Sequence, residues 1–275
     1  MPDVLKPVAV STPVLREDLV SKKVPVYHKM LVNGDFGVGK SYFAMTYPKW
    51  KYAMIEPHGI QTALTHPHLL ANMVSYESFV PREDEDIKDT FSRLDQFLTS
   101  ARKEAQEGKI QTVILDNLSH LTENRWMYIE KYERQLTEKG NVNTLAMFLG
   151  LSRWLYRFTI ERLLTIPAHV IVTCHVMDEK EQDDRGISKK TGQIISDTLG
   201  NFRDKAPGLF NASLFLEVTP QPSPKPPVYR ALCQPTGQRK AKNNLGLPMW
   251  IENISYDKIL STLNGHLGPT VPSAH

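Results

Sequence analysis

The sequence predicts an α/β fold, a mostly parallel sheet flanked by helices, and three observations carry that reading. Short apolar runs ("HKMLVN", "KYAMIE", "QTVILDN" and "AHVIVTCHV") alternate with stretches at helical spacing. The segments between the runs are long enough for the crossover connections that parallel neighbours need. The runs are apolar, as expected of strands covered on both faces.

Each element can be justified in turn. Residues 1–26 hold four prolines and no sustained period, so they read as a tail or an irregular strap. The domain is expected to span 27–265, with a second tail at 266–275. "HKMLVN" is its first strand, followed by a glycine loop and a helix from Lys40 to Thr46 that Pro48 closes. "KYAMIE" is a second strand and "NMVSYESF" a third. Ile87, Phe91, Leu94, Phe97 and Leu98 then fall at helical spacing, with Gly108 as the stop. "QTVILDN" is the next strand, helices follow over 118–137 and 144–164, and "AHVIVTCHV" is another buried strand. Residues 178–207 read as a long polar loop. "ASLFLEV" and "VYRALC", separated by "TPQPSPKPP", extend the sheet with antiparallel strands.

Composition bounds the function. With 275 residues, 41% of them hydrophobic and 23% charged, the chain is an ordinary globular protein, which excludes disordered and fibrous classes. No run approaches the ~18–20 apolar residues of a membrane span, and no apolar segment precedes a small-residue cleavage site, so a cytoplasmic protein without membrane contact is expected. Two cysteines, Cys174 and Cys233, are too few for a disulfide framework or a zinc site. The pair His66 and His68 lacks ligand spacing, so no zinc is assigned. The net charge of +3 is small but unevenly placed, with ten Lys/Arg against three Asp/Glu between Arg185 and Lys242.

"LVNGDFGVGKSYFAM" carries the sharpest motif. Gly34, Gly39, Lys40 and Ser41 satisfy G-x-x-x-x-G-K-[ST] between an expected strand and an expected helix, the context in which backbone N–H groups converge on phosphate oxygens. The loop Gly34, Asp35, Phe36, Gly37, Val38, Gly39, Lys40, Ser41 and Tyr42 is therefore the candidate ATP site. Lys40 would pair with the β and γ phosphates, and Ser41 would ligate Mg²⁺. Such a site also needs a strand-end carboxylate for the metal, and "TVILD" supplies Asp116.

The series "LVNGDFGVGKSYFA", "YAMIEPHG", "TVILDNLSHLTE", "HVIVTCHVMDEK", "DTLGNFRDKAPGLFN" and "AKNNLGLP" resembles the RecA-like phage nucleotide-binding P-loop ATPases, a group that includes phage single-strand annealing proteins. The resemblance runs from residue 28 to 262. It implies a RecA-like core acting on single-stranded DNA in recombination, annealing or replication, in the host cytoplasm if phage-encoded. It also implies nucleotide at a subunit interface of a ring or filament, and DNA held by loops. His175, directly after "VIVTC", stands where such ATPases place a γ-phosphate sensor; the plain alternative is a strand-end histidine bonded to backbone. The loop it would relay to carries Arg185, Lys189, Lys190, Arg203 and Lys205, which can neutralise phosphates, although Phe202 is the only aromatic between 178 and 209.

Two stretches depart from the family pattern. Where relatives end the second strand in an acidic pair whose later glutamate polarises the attacking water, this chain reads Glu56-Pro57-His58. Either Glu56 takes the base role, His58 does so less strongly, or hydrolysis is slow; the alternative for Glu56 is a group that fixes Ser41 or the metal. In "QRKAKNN" relatives place a late cation where Asn243 and Asn244 stand, leaving Arg239 or Lys242 as the residue reaching a neighbour's γ phosphate. The first reading is thus a Mg²⁺–ATP-dependent ATPase working with single-stranded DNA. The second is a nucleotide-gated adaptor or loader with little turnover that recruits a helicase or a single-strand binding protein. A small-molecule kinase fits less well, because Arg185 and Arg203 alone are a poor phosphate-binding lid.

Overall fold

A computed structural model describes residues 27–182, 188–221 and 227–266. In chain order the elements begin β1 (Lys29–Gly34), α1 (Lys40–Met45), β2 (Trp50–Met54), α2 (Gln61–Thr65), β3 (Met73–Ser78), α3 (Ile87–Gln106), β4 (Thr112–Asp116), α4 (Leu118–Tyr132) and α5 (Thr144–Arg157). They continue with β5 (His169–Cys174), β6 (Val176–Gln182), β7 (Ser188–Ser196), α6 (Gly200–Leu209), β8 (Ala212–Thr219), β9 (Val228–Leu232), β10 (Lys242–Asn243), β11 (Trp250–Glu252) and α7 (Tyr256–His266).

The main sheet has nine strands in the order β11-β9-β8-β1-β5-β4-β2-β3, with β10 paired to β8. From β8 to β3 every pairing is parallel, whereas β9, β10 and β11 join antiparallel. The expected α/β class, with its antiparallel C-terminal extension, is therefore the observed fold. Both faces are covered, which explains why the central strands are apolar throughout. Leu31, Val113, Leu115, Val170 and Val172 pack beneath α3 to α6, and Met30, Val32, Ile114 and Ile171 pack beneath α1, α2 and α7. Helix α3 owes its start to Asp86, whose carboxylate accepts from the Lys88 amide at 2.9 Å. Of the residues at helical spacing, Ile87, Leu94, Phe97 and Leu98 are buried and Phe91 is half-buried, and Ala101 extends the stripe.

The structure departs from expectation after β5. Residues 178–207 are not a structureless loop: β6 and β7 form a separate antiparallel arm, and α6 follows. The arm is solvated along most of its length, so its residues carry no apolar alternation to betray a strand. Phe202 is a core residue of α6, buried beside Phe210. Helix α4 ends five residues earlier than expected, and α5 gives way to a π-helical turn at Phe158–Leu163. The short strands β10 and β11 and helix α7 had no counterpart in the sequence reading. Among the described residues no helix is long and apolar enough to cross a membrane.

Candidate nucleotide site

The site is assembled at the C-terminal ends of β1, β5, β4 and β2. Because β5 pairs with both β1 and β4, groups at its end stand between the loop that follows β1 and the carboxylate that ends β4. Two of the loop's glycines show why the residue is required there. A Cβ on Gly34 would meet Val38 Cγ2 at 2.6 Å and the Leu216 carbonyl oxygen at 2.9 Å, so no side chain fits there. Gly39 has φ of 89°, a left-handed conformation that L side chains resist, and it lets the loop curl its N–H groups toward one mouth.

Lys40 lies back across that mouth. Its Nζ donates to the carbonyls of Gly34 at 2.9 Å and Asp35 at 2.8 Å and stands 3.3 Å from His175 Nδ1. The side chain is buried, and burial lowers its pKa against the attraction of Asp116 and Glu56. A cation held by two backbone carbonyls rather than a carboxylate is available to an incoming anion. Phe36, exposed in the loop, lies over the His175 ring at 4.1 Å between centroids.

Asp116 is wholly buried and accepts from three hydroxyls: Ser41 at 2.7 Å, Tyr52 at 2.5 Å, and Thr173 on the other oxygen. Burial and the neighbouring Asp116 raise the Tyr52 pKa well above its usual value, so the phenol stays protonated and donates. The Ser41 hydroxyl and the Asp116 carboxylate form a hard-oxygen pair at the mouth of the loop, the donor set Mg²⁺ takes alongside phosphate oxygens. These residues fit that ion.

Glu56, just beyond β2, faces the same space. Asn117 Nδ2 donates to Glu56 Oε2, and His175 Nε2 lies 3.3 Å from the same oxygen. Lys40 Nζ faces Nδ1 of His175 and Asn117 Nδ2 stands 2.9 Å from Nε2, so each ring nitrogen has a donor beside it and Nε2 also lies next to Glu56. Burial alone would raise the Glu56 pKa, but hydrogen bonds from His175 and Asn117 outweigh it and the net shift is downward. The result is a chain of contacts from Lys40 through His175 to an ionised carboxylate. Asn117 also caps α4, accepting from the His120 amide at 2.9 Å. His58 is exposed, with φ of 68°, and among the described residues its side chain makes no hydrogen bond or ion pair with this group.

Beside the loop is a cavity of about 690 Å³ whose lining includes Gly37, Gly39, Ser41, Tyr42, Thr62 and Tyr229. Tyr229, on β9, is so close to the loop that a Cβ on Gly39 would touch its ring at 3.4 Å. Sequence reasoning missed Tyr229, Tyr52, Thr173 and Asn117. Asn117, which directly follows the strand-end acid, was the one with a local signal.

The remaining candidates lie elsewhere. Arg239 is ion-paired with Glu217, and Lys242 Nζ donates to the Gly208 carbonyl at 2.6 Å, so both are engaged within their own chain. Lys189 and Lys190 are exposed on the arm, where Lys190 pairs with Asp178 at 2.5 Å and Lys189 lies opposite Glu181. Arg203 and Lys205 are on α6 rather than on a loop. Arg185 lies outside the described residues. Cys174 and Cys233 are both buried, and burial pushes each thiol up to about 12.

A largely parallel α/β sheet with a G-x-x-x-x-G-K-S loop at the C-terminal end of a central strand and a strand-end carboxylate against the loop serine defines a P-loop nucleotide-binding domain. Residues 27–244 match the AAA domain family, and the chain belongs to it. Among solved structures, an ATPase from the type III secretion system of pathogenic bacteria is 14% identical with a TM-score of 0.44, over 69% of this chain and 51% of its own. This chain thus spans about half the length of that ATPase. The KaiC-like protein PH0186 of Pyrococcus horikoshii is 9% identical with a TM-score of 0.38, covering 78% of this chain and 81% of its own. The flagellar accessory protein FlaH of Methanocaldococcus jannaschii is 12% identical with a TM-score of 0.38, covering 87% and 92%. A search of curated proteins gives no match.

Proposed function

We propose that this chain hydrolyses Mg²⁺–ATP on the 34–41 loop and passes its nucleotide state through the β6–β7 arm to single-stranded DNA. One observation carries the coupling: both roots of the arm rest against the loop. His175, one residue before β6, contacts Lys40, and Ser196, the last residue of β7, donates to Asn33 Oδ1 at 2.6 Å, one residue before Gly34.

In this reading the loop amides and Lys40 hold the phosphates, and Tyr229 offers a face to the base. Ser41 and Asp116 would hold Mg²⁺, which when bound neutralises charge developing on the phosphate oxygens. Lys40 exchanges the Gly34 and Asp35 carbonyls for phosphate oxygens, and His175 senses that exchange through Nδ1. Glu56, kept ionised and oriented by Asn117 and His175, accepts the proton of the attacking water. Arg239 or Lys242 serves a neighbouring copy in a ring or filament, Arg239 by leaving Glu217. The arm lysines and Arg203 and Lys205 neutralise DNA phosphates. The sequence resemblance supports a place in phage-type recombination, strand annealing or replication.

A second reading, the nucleotide-gated adaptor for a helicase or a single-strand binding protein, is favoured by the engagement of Glu56 with Asn117 and His175. ATP turnover measured at several protein concentrations, with and without single-stranded DNA, separates the two. Turnover that rises with both supports the ATPase reading, and tight ATP binding with negligible turnover in every condition supports the adaptor.

A further inference from the structure

A second cavity, of about 600 Å³, lies on the opposite face of the sheet from α1, between α3, α4 and α5. Its floor is apolar: Phe91, Leu94, Trp154 and Phe158 all line it. Five cations and two carboxylates line it too. Both carboxylates are committed, Asp95 to Arg162 and Glu161 to Arg157. On the rim, Lys88 and Arg153 are exposed, and among the described residues neither side chain forms an ion pair.

At the centre stands Arg125. Only 9% of its side chain is exposed, and its guanidinium lies 4.3 Å from the Tyr128 ring and 4.9 Å from the Trp154 ring. Glu133 takes one end at 2.7 Å and 2.8 Å, yet Nε is buried with no hydrogen-bond partner, as is Nε of Arg162. One buried guanidinium with an unmet donor, beside a partly exposed one whose Nε is also unpartnered, in a hollow with excess positive charge, is a costly arrangement for a surface without a ligand.

We propose that this hollow binds an acidic segment of a partner protein, one that buries a large apolar side chain on the floor and sets carboxylates against Lys88 and Arg153. Charge complementarity selects an anion, and the apolar floor selects an anion with an apolar anchor. Nucleic acid suits the hollow less well, because the aromatic faces that would receive bases are taken: Trp154 stacks on Phe158 at 4.8 Å and 17°, and Arg125 covers Tyr128. Helix α4, which presents Arg125 and Tyr128, begins two residues after Asp116, so the hollow and the nucleotide site share one rigid element.

The test uses the full chain and a fluorescein-labelled peptide with one phenylalanine flanked on each side by three aspartates or glutamates, read by anisotropy at about 0.1 M salt. Binding should weaken at least about tenfold in the double variant K88E/R153E, and about tenfold when the peptide phenylalanine becomes serine, with ATP affinity unchanged. Absence of peptide binding, or equal binding by the double variant, would overturn the proposal. So would a labelled oligothymidylate that binds more tightly than the peptide and shows the same dependence on Lys88 and Arg153, since the hollow would then be a nucleic-acid site.

Discussion

Ser196 Oγ donates to Asn33 Oδ1 at 2.6 Å in a buried layer directly beneath the phosphate loop. The Asn33 amide in turn donates to Ser213 Oγ and to the Leu214 carbonyl, both at 3.1 Å, so one side chain ties the arm to β1 and β8. S196A leaves the Asn33 oxygen without its donor in a dry site. The expected cost is about 1–3 kcal/mol of stability. DNA stimulation of turnover should fall while ATP affinity stays within about threefold. Thermal melts and paired turnover assays check both, and unaltered DNA stimulation would remove Ser196 from the coupling.

Tyr229 reaches the loop from β9, far away in sequence. If its ring faces the base, Y229A should weaken ATP binding by about tenfold or more, the scale of one base–aromatic stack. Inorganic triphosphate, which has no base, should bind variant and parent alike. A competition titration with both ligands reads the difference, and equal losses for the two would place Tyr229 outside base recognition.

Glu56 separates the two functional readings. E56Q keeps the shape and loses the charge, so a base role predicts a fall in kcat of at least about a hundredfold with ATP affinity nearly unchanged. Single-turnover assays measure this directly. A variant as active as the parent would assign Glu56 to holding His175 and Asn117 in place.

Buried His28 and half-buried His169 pair at the far end of the sheet, their rings 4.7 Å apart, and the His28 amide donates to His169 Nδ1 at 2.9 Å. Burial lowers His28 to about 4 and His169 to about 3, the latter helped by the charges of His28 and Lys29. Unfolded, each titrates at the ordinary value of 6.5. Between that value and the folded ones the unfolded chain binds more protons, so stability is full above pH 6.5 and is lost as pH falls toward 4 and 3. Each imidazole contributes a slope of up to about 1.4 kcal/mol per pH unit. Urea midpoints between about pH 7 and 5, where carboxylates contribute little, should decline steadily. A flat profile would show that the pair is not buried in the neutral form.

What the sequence made legible was whatever repeats locally. The apolar runs around Met30, Ile114 and Ile171 and the stripe Leu94–Phe97–Leu98 report burial by their own periodicity, so strands and long helices could be read directly. The phosphate loop and Asp116 were legible because their chemistry is written in contiguous residues. Tyr229, Thr173 and Tyr52 were not, because each acquires its position only when β9, β5 and β2 take their places in the sheet. The arm was read as a loop because β6 and β7 bury almost nothing. Arg125 gives no sequence signal at all: its neighbours Phe91 and Trp154 come from two other helices.

The central claim is that residues 34–41 bind nucleotide through Lys40. Titration of the full chain with a fluorescent ATP analogue, with and without Mg²⁺, should show saturable binding that Mg²⁺ strengthens and that K40A reduces by at least about a hundredfold, because the phosphate counter-charge is gone. A K40A protein that folds and binds the analogue as tightly as the parent would contradict the site and the coupling built on it.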